Sequence, residues 1–378
     1  MKSIYLDNAA TTPILPEVIS VITNTMATVY GNPSSTHQIG RKAKSLVETA
    51  RKNIAKYLNA ASNEIIFTAG GSEADNLILR NSVENLGVTT IISSKIEHHA
   101  VLHTIENLVK EFKITALWVD LDENGDVDYN HLEQLLQQTE GKKLVSLMYV
   151  NNEVGNVLDL KIVSDLCLTY NTLFHSDTVQ GIGHFEIDVK QTPIDFFTAS
   201  AHKFNGPKGV GFAYIKKGFG IYPILHGGEQ ERGARAGTEN IHGILGMEKA
   251  LEIALTNLEE ESTYIQKLKS YFIKKLKNNF EEVAFNGLSE SEIKSSYIIL
   301  NVRFPKEYAL LLFNLDLKGI AVSGGSACQS GSNKGSHVLN TILSEKEATK
   351  TSVRFSFSKF NTEEEVDYVI DVLKELIN

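Results

Sequence analysis

The chain has 378 residues, 42% hydrophobic and 22% charged, which is the mix of a globular protein and excludes disordered or collagen-like chains. A net charge of −9 argues against a nucleic-acid partner held by bulk charge. Two cysteines, Cys167 and Cys328, exclude a disulfide framework and point to a reducing compartment.

The first clear helical pattern is Ile39, Ala43, Leu46, Val47, Ala50, Ile54 and Leu58, whose steps of mostly three and four give a long helix one apolar face. A short strand, 65–68, leads into the turn Ala69-Gly70-Gly71-Ser72 and a helix to about Leu86. Ser72 with Asp75 three residues on reads as a capping box, and Gly87 as the stop. Strands are expected at 90–93, 115–119, 144–150, 172–177, 195–200 and 210–215, with helices at 99–112 and 160–170 among them. Near-continuous apolar strands alternating with helices predict a largely parallel sheet covered on both faces. Helices follow over 239–277. The remainder reads strand (297–303), helix (307–315), strand (320–323), helix, strand (352–358), helix (362–376), a smaller α+β unit. The segment to about Pro13 is expected to pack with it.

Candidate chemistry gathers where strands end. Lys203 lies just past an apolar strand in Ser200-Ala201-His202-Lys203-Phe204-Asn205-Gly206. A lone lysine in a turn is usually a surface residue. Burial and neighbouring cations can instead lower its pKa and let it bond covalently to a carbonyl. Asp177 closes another strand, in His175-Ser176-Asp177-Thr178-Val179-Gln180, where ligands bind in parallel sheets. It could serve as a helix N-cap; it could also hold the proton on the ring nitrogen of pyridoxal phosphate. Gly70-Gly71-Ser72 at a helix start suits a phosphate. His98 follows a strand and could stack on a ring. Phosphate, ring face, ring nitrogen and aldehyde thus each find a residue in one α/β unit.

The sequence here resembles the cysteine desulfurases of the NifS/IscS-like group, within the class V aminotransferase superfamily of pyridoxal-phosphate enzymes. The likeness runs from Tyr5-Leu6-Asp7-Asn8-Ala9-Ala10-Thr11-Thr12-Pro13 to Val353-Arg354-Phe355-Ser356. Between them lie Gly31-Asn32-Pro33-Ser34-Ser35, Val150-Asn151-Asn152-Glu153-Val154-Gly155, the Lys203 segment and Gly233-Ala234-Arg235-Ala236-Gly237-Thr238. The resemblance implies fold type I: a large cofactor-binding domain over 14–255 with a mostly parallel seven-stranded sheet. Residues 1–13 and 256–378 would form the small α+β domain carrying the cysteine loop and the substrate arginine.

It also implies roles. Lys203 carries pyridoxal 5'-phosphate, Asp177 pairs with the pyridine nitrogen and His98 stacks on the ring and assists catalysis. Asn152 and Gln180 bond near the ring, Asn152 also touching substrate. Gly71, Ser72, Ser200 and His202 hold the phosphate, and Thr238 reaches the phosphate of a neighbouring subunit, which makes a homodimer. Arg354 grips the carboxylate of L-cysteine through its planar fork. Cys328, among the small and polar residues of Val322 to Ser336, takes the sulfur as a persulfide and leaves L-alanine. A sulfur-acceptor protein follows, an iron–sulfur scaffold or a tRNA-thiolation carrier. Cys167 lies on a helical pattern and is expected to pack.

Two cysteines and scattered histidines give no zinc spacing, so no metal is expected. No apolar run nears the ~18 residues of a membrane span. The start, with Asp7 before any long apolar stretch, does not read as a signal peptide. A cytoplasmic protein with no membrane or direct nucleic-acid partner is expected. Two rivals stay open: a selenocysteine lyase or other class V enzyme, and a non-catalytic sulfur carrier. Ser72 stands where the family more often has threonine and Gly324 where IscS-like members usually have serine. The chain also ends soon after its last helix, without the longer tail that helps some members dock a scaffold, which leaves the acceptor open.

Overall fold

The structure is a computed structural model and describes residues 3–324 and 335–377. After β1 (Ile4–Tyr5) come the strands β2 (Ile65–Thr68), β3 (Thr90–Ser93), β4 (Thr115–Trp118), β5 (Lys143–Ser146), β6 (Leu173–Asp177), β7 (Phe196–Ser200) and β8 (Gly211–Ile215). β2 to β8 form a seven-stranded sheet in the order β2-β8-β7-β6-β5-β3-β4. Every neighbouring pair is parallel except those of β8, which runs antiparallel to β2 and β7. The mostly parallel α/β architecture expected from the sequence is therefore present.

Strand periodicity divides the apolar side chains between two faces. Phe197, Ala199, Phe212 and Tyr214 join one core, while Phe196, Ala213 and Ile215 join the other. The first face is covered by α1 (Pro16–Thr28), α2 (Gln38–Tyr57), α5 (Tyr129–Gln138), α6 (Leu160–Thr169) and α7 (Ile241–Thr256). The second lies under α3 (Gly71–Glu84) and α4 (His99–Phe112). Cys167 of α6 is buried in the first core, where burial pushes its thiol pKa up. It packs, as its helical position suggests.

A further core is built from Ile4, Leu6 and Ala9 together with the C-terminal elements. These are α8 (Leu258–Asn279), β9 (Ala284–Phe285), β10 (Ile299–Arg303), α9 (Leu311–Leu317), β11 (Ile320–Ala321), β12 (Ser352–Ser356) and α12 (Glu363–Ile377), while α10 (His337–Ile342) packs on Ile96 and Val154 and α11 (Glu345–Ala348) buries no residue. β1 pairs in parallel with β11, and β10 lies antiparallel between β12 and β9. Asp7 bridges to Ser356, which joins the start of the chain to β12.

Some local expectations are corrected. Ser72 does not cap α3: the N-cap is Gly70, at φ +153°, with no side-chain cap. Asp75 is buried against the sheet and is not part of a box. Glu73 instead reaches back to accept from the N–H of Ala69 at 2.8 Å. Gly87, at φ +73°, lies beyond the helix end at Glu84. The long helical stretch over 239–277 breaks at Asn257 into α7 and α8. α1 and α5 were not singled out, although Pro16 begins α1 and Asp128 caps α5 by accepting from the N–H groups of Asn130 and His131.

Lys269 of α8 is fully buried, donating to the Ser296 carbonyl at 2.8 Å and to Ser295 Oγ at 3.1 Å. Burial pushes its pKa down to about 7 from 10.5. The unfolded chain therefore binds more protons between those values, and stability rises with pH across that window. Compared with Lys269→Met, the unaltered protein should gain a few degrees in thermal midpoint between pH 7 and 9. Parallel pH slopes for the two proteins in calorimetry would refute this.

Candidate active site

The carboxyl ends of the parallel strands open into a cavity of about 640 Å³. Ten of the residues singled out from the sequence line it: Gly71, Ser72, His98, Asn152, Asp177, Gln180, Ser200, His202, Lys203 and Arg354. They come from six separate stretches of chain, and the sheet is what brings most of them together.

Lys203 ends a short 3-10 turn that follows β7 directly. Its Nζ donates to the carbonyls of Ala9 at 2.7 Å and Ala10 at 3.0 Å. The turn is clamped to the N-terminal segment: Thr12 N and Oγ1 both donate to the His202 carbonyl at 2.9 Å, and Asn205 N donates to Thr12 Oγ1 at 2.8 Å. Gln180 Nε2 donates to the Ala9 carbonyl as well, at 2.8 Å. The lysine tip and the glutamine are thus tied to one backbone oxygen.

Asp177 is the last residue of β6, as its strand-end position suggests. Its Oδ1 accepts from Val179 N at 2.9 Å and, weakly, from Thr198 Oγ1 at 3.5 Å. Behind it lies a buried polar row. Asp75 Oδ1 lies 3.4 Å from His175 Nε2, and His175 Nδ1 lies 2.9 Å from Ser146 Oγ. Burial and the nearby charge of Asp177 push the Asp75 pKa well up, while burial takes His175 down to about 3. Both effects favour a neutral acid beside a neutral imidazole, because an isolated buried charge is costly. Glu97 behaves likewise, raised to about 8 by burial despite hydrogen bonds from Ser94 Oγ and Met148 N.

His98 is the N-cap of α4, its Nδ1 accepting from Ala100 N at 3.1 Å. Capping and facing the cavity are therefore combined in one side chain. Burial holds its imidazole below the ordinary range. Its chain neighbour Glu97 is braced, His337 Nε2 lying 2.9 Å from the Glu97 carbonyl.

At the far wall, helix geometry leaves the first N–H groups of α3 without intrahelical acceptors, and no side chain among the described residues caps them. Ser72, Ser200 and His202 surround this end, with Lys208 beside Gly209 on the same cavity. His202 is lowered to about 4 by burial and by the charges of Lys203 and Lys208. It is therefore a neutral donor or acceptor, and it contacts Thr11 Oγ1 at 3.2 Å. Free helix N–H groups, hydroxyls and lysine together make an anion site.

Arg354 of β12 is buried, with Nη1 donating to the Asn152 carbonyl at 2.7 Å and Nη2 to Asp7 Oδ1 at 2.8 Å. Thr238 is exposed and lines a separate cavity of about 150 Å³ with Ala69, Gly209 and Arg235. The structure does not bring it to the other candidates. Cys328 lies outside the described residues. Asp7, Asp75 and Lys208 are site residues that sequence reading missed. Their importance comes from contacts with distant parts of the chain, for which no local pattern exists. Among the described residues no group of three His, Cys, Asp or Glu could hold a metal, and no helix is long and apolar enough to cross a membrane.

The family model "Aminotransferase class-V" matches residues 4–369. A protein of Clostridium botulinum (strain Hall) named cysteine desulfurase IscS is 44% identical over 382 residues, covering 100% of this chain and 94% of the relative. One of the same name from Dictyoglomus turgidum is 40% identical over 384 residues, covering 100% and 95%. A solved structure described as a NifS-like protein superposes with a TM-score of 0.91 at 36% identity, covering 100% of this chain and 99% of that one. With its sheet, its cavity and this match along nearly its whole length, the chain belongs to the class-V aminotransferase family.

Proposed function

We propose that the protein is a pyridoxal-phosphate-dependent cysteine desulfurase that converts L-cysteine to L-alanine and passes the sulfur to an acceptor protein. The observation that carries this reading is the single cavity that holds a lysine, a strand-end aspartate, a helix N-terminus and an arginine. The similar proteins named cysteine desulfurase give the substrate.

The residues present fit the cofactor. A Cβ on Gly71 would lie 2.5 Å from Val179 Cγ2, so only glycine allows the start of α3 to come this close to the Asp177–Gln180 turn. That closeness sets bare N–H groups beside Ser72, Ser200 and His202, which would hold the phosphate. Lys203 would hold the aldehyde carbon, Asp177 the ring nitrogen, Asn152 and Gln180 the ring edge, and the face of His98 the ring. When bound, pyridoxal phosphate supplies an electron sink for the carbon next to the amino group.

The chain supplies the rest. Arg354 binds the substrate carboxylate and so orients the amino acid. Lys203 Nζ is the amine placed to move the proton at the substrate Cα, and neutral His98 can accept or return a proton beside it. Cys328 Sγ takes the substrate sulfur: an S–S bond forms, the C–S bond breaks, and the carbon takes a proton. One L-cysteine and one thiol thus become one L-alanine and one persulfide. The division of labour has a physical reason, since a thiol on a separate segment carries sulfur to a partner too large for the cavity.

The same proposal includes a division into residues 14–255, and 1–13 with 256–378, supported by the separate core around Ile4, Leu6, Phe272 and Phe355. It includes a homodimer in which exposed Thr238 reaches the neighbour's phosphate, a cytoplasmic setting, and an iron–sulfur scaffold or tRNA-thiolation carrier as acceptor.

Cys328→Ala should keep the visible absorbance of the bound cofactor but lose both persulfide and catalytic alanine formation; sustained turnover of L-cysteine would remove Cys328 from the reaction. Lys203→Ala should lack the absorbance band of the covalently held cofactor, and an unchanged spectrum would reject that lysine. Gly71→Ala should weaken pyridoxal-phosphate affinity about tenfold by overpacking against Val179. Equal affinity in a fluorescence titration of the apo proteins would show that the close approach is not needed.

A further inference from the structure

Arg354 is a long side chain that must present its guanidinium in one orientation to a small substrate. Two of its nitrogens are committed, Nη1 to the Asn152 carbonyl and Nη2 to Asp7 Oδ1. Its Nε is buried and has no hydrogen-bond partner among the described residues. A buried donor without an acceptor is unfavourable unless a ligand or water takes it. The guanidinium is therefore held on two sides with a buried donor to spare, on a residue that lines the cavity.

Asp7 is itself fixed. Its Oδ1 also accepts from Ser323 Oγ at 2.9 Å, and Ser323 and Arg354 exchange backbone hydrogen bonds. Tyr5 Oη donates to the carbonyls of Asp7 at 3.1 Å and Thr11 at 2.7 Å, closing the backbone around the aspartate. No motif of the sequence assigns Asp7 a task, and the proposed chemistry does not use it.

We infer that Asp7 is the positioning residue of the substrate-carboxylate site: it pins the Arg354 fork in its binding orientation before the amino acid arrives. This rests on the desulfurase reading for the identity of the amino acid. An unpinned arginine would lose rotamer freedom on binding, and a pinned one has already lost it. Asp7 also has an opposing effect, because its charge offsets that of Arg354 and by itself would weaken carboxylate binding. Asparagine separates the two, since its carbonyl can still accept from Nη2 and from Ser323 while the charge is gone.

The test compares the unaltered holoenzyme with Asp7→Ala and Asp7→Asn. Asp7→Ala should raise KM for L-cysteine about tenfold, the loss of one charge-assisted hydrogen bond, with kcat within about twofold. Asp7→Asn should restore KM to within about threefold of the unaltered protein. The dissociation constant of L-alanine, read from the cofactor's absorbance, should follow the same order, whereas that of L-alaninamide, which has no carboxylate, should not change. If Asp7→Ala does not fold, Ser323→Ala removes one donor from the same oxygen and should raise both constants about threefold, a smaller effect in the same direction. The inference is overturned if Asp7→Asn is as impaired as Asp7→Ala, if the amide is weakened as much as the acid, or if neither constant moves. Failure of the unaltered protein to consume L-cysteine would instead sink the desulfurase reading, while the comparison of alanine with its amide still decides the role of Asp7.

Discussion

The carbonyl oxygens of Ala9 and Ala10 accept from Lys203 Nζ, and two residues earlier Asp7 accepts from Arg354. One short turn of chain thus ties the lysine, attached to the large sheet, to the arginine on β12. The same stretch is held through Thr12 to the turn that carries Lys203. The relative placement of the two cationic groups depends on these bonds. Neither the sheet nor the C-terminal core could set it alone, because each carries only one of the two.

The sheet does a different job. Its strands are buried on both faces, so their side chains are committed to packing, and polar groups collect where the strands end. Asp177 and Ser200 close strands, Lys203 and His98 follow within a few residues, and α3 starts three residues after β2. Beneath this rim the buried acids Asp75 and Glu97 are driven toward the neutral form by burial. Were both ionised beside Asp177, like charges in a poorly solvated region would oppose one another. Raised pKa values in the supporting layer leave Asp177 less opposed at the cavity wall.

Much of this was legible in the sequence. The strand Ile65–Thr68 and the helix His99–Phe112 follow from local pattern alone and match the structure. Lys203, Asp177, His98 and the glycine turn could be picked out because strand ends and glycine–helix junctions leave local marks. The capping box was misread for an instructive reason. Ser72 and Asp75 have the right spacing, but the sheet beneath α3 takes Asp75 into a buried row with His175, and no spacing rule anticipates that. The Asn257 break between α7 and α8 escaped notice because an asparagine between two apolar-periodic runs barely disturbs the pattern.

What the sequence by itself determined was therefore most of the sheet's strands and several of its helices, their two-faced burial and the kinds of chemistry available at their ends. These depend on neighbours within a few residues, through the periods of helix and strand. Only the tertiary structure decided that Asp7 belongs with Arg354, that Lys203 points to the carbonyls of Ala9 and Ala10, and that Thr238 stands apart from the main cavity. Those pairings join residues hundreds of positions apart, and the packing of two cores against one N-terminal segment selects them, which no local rule encodes.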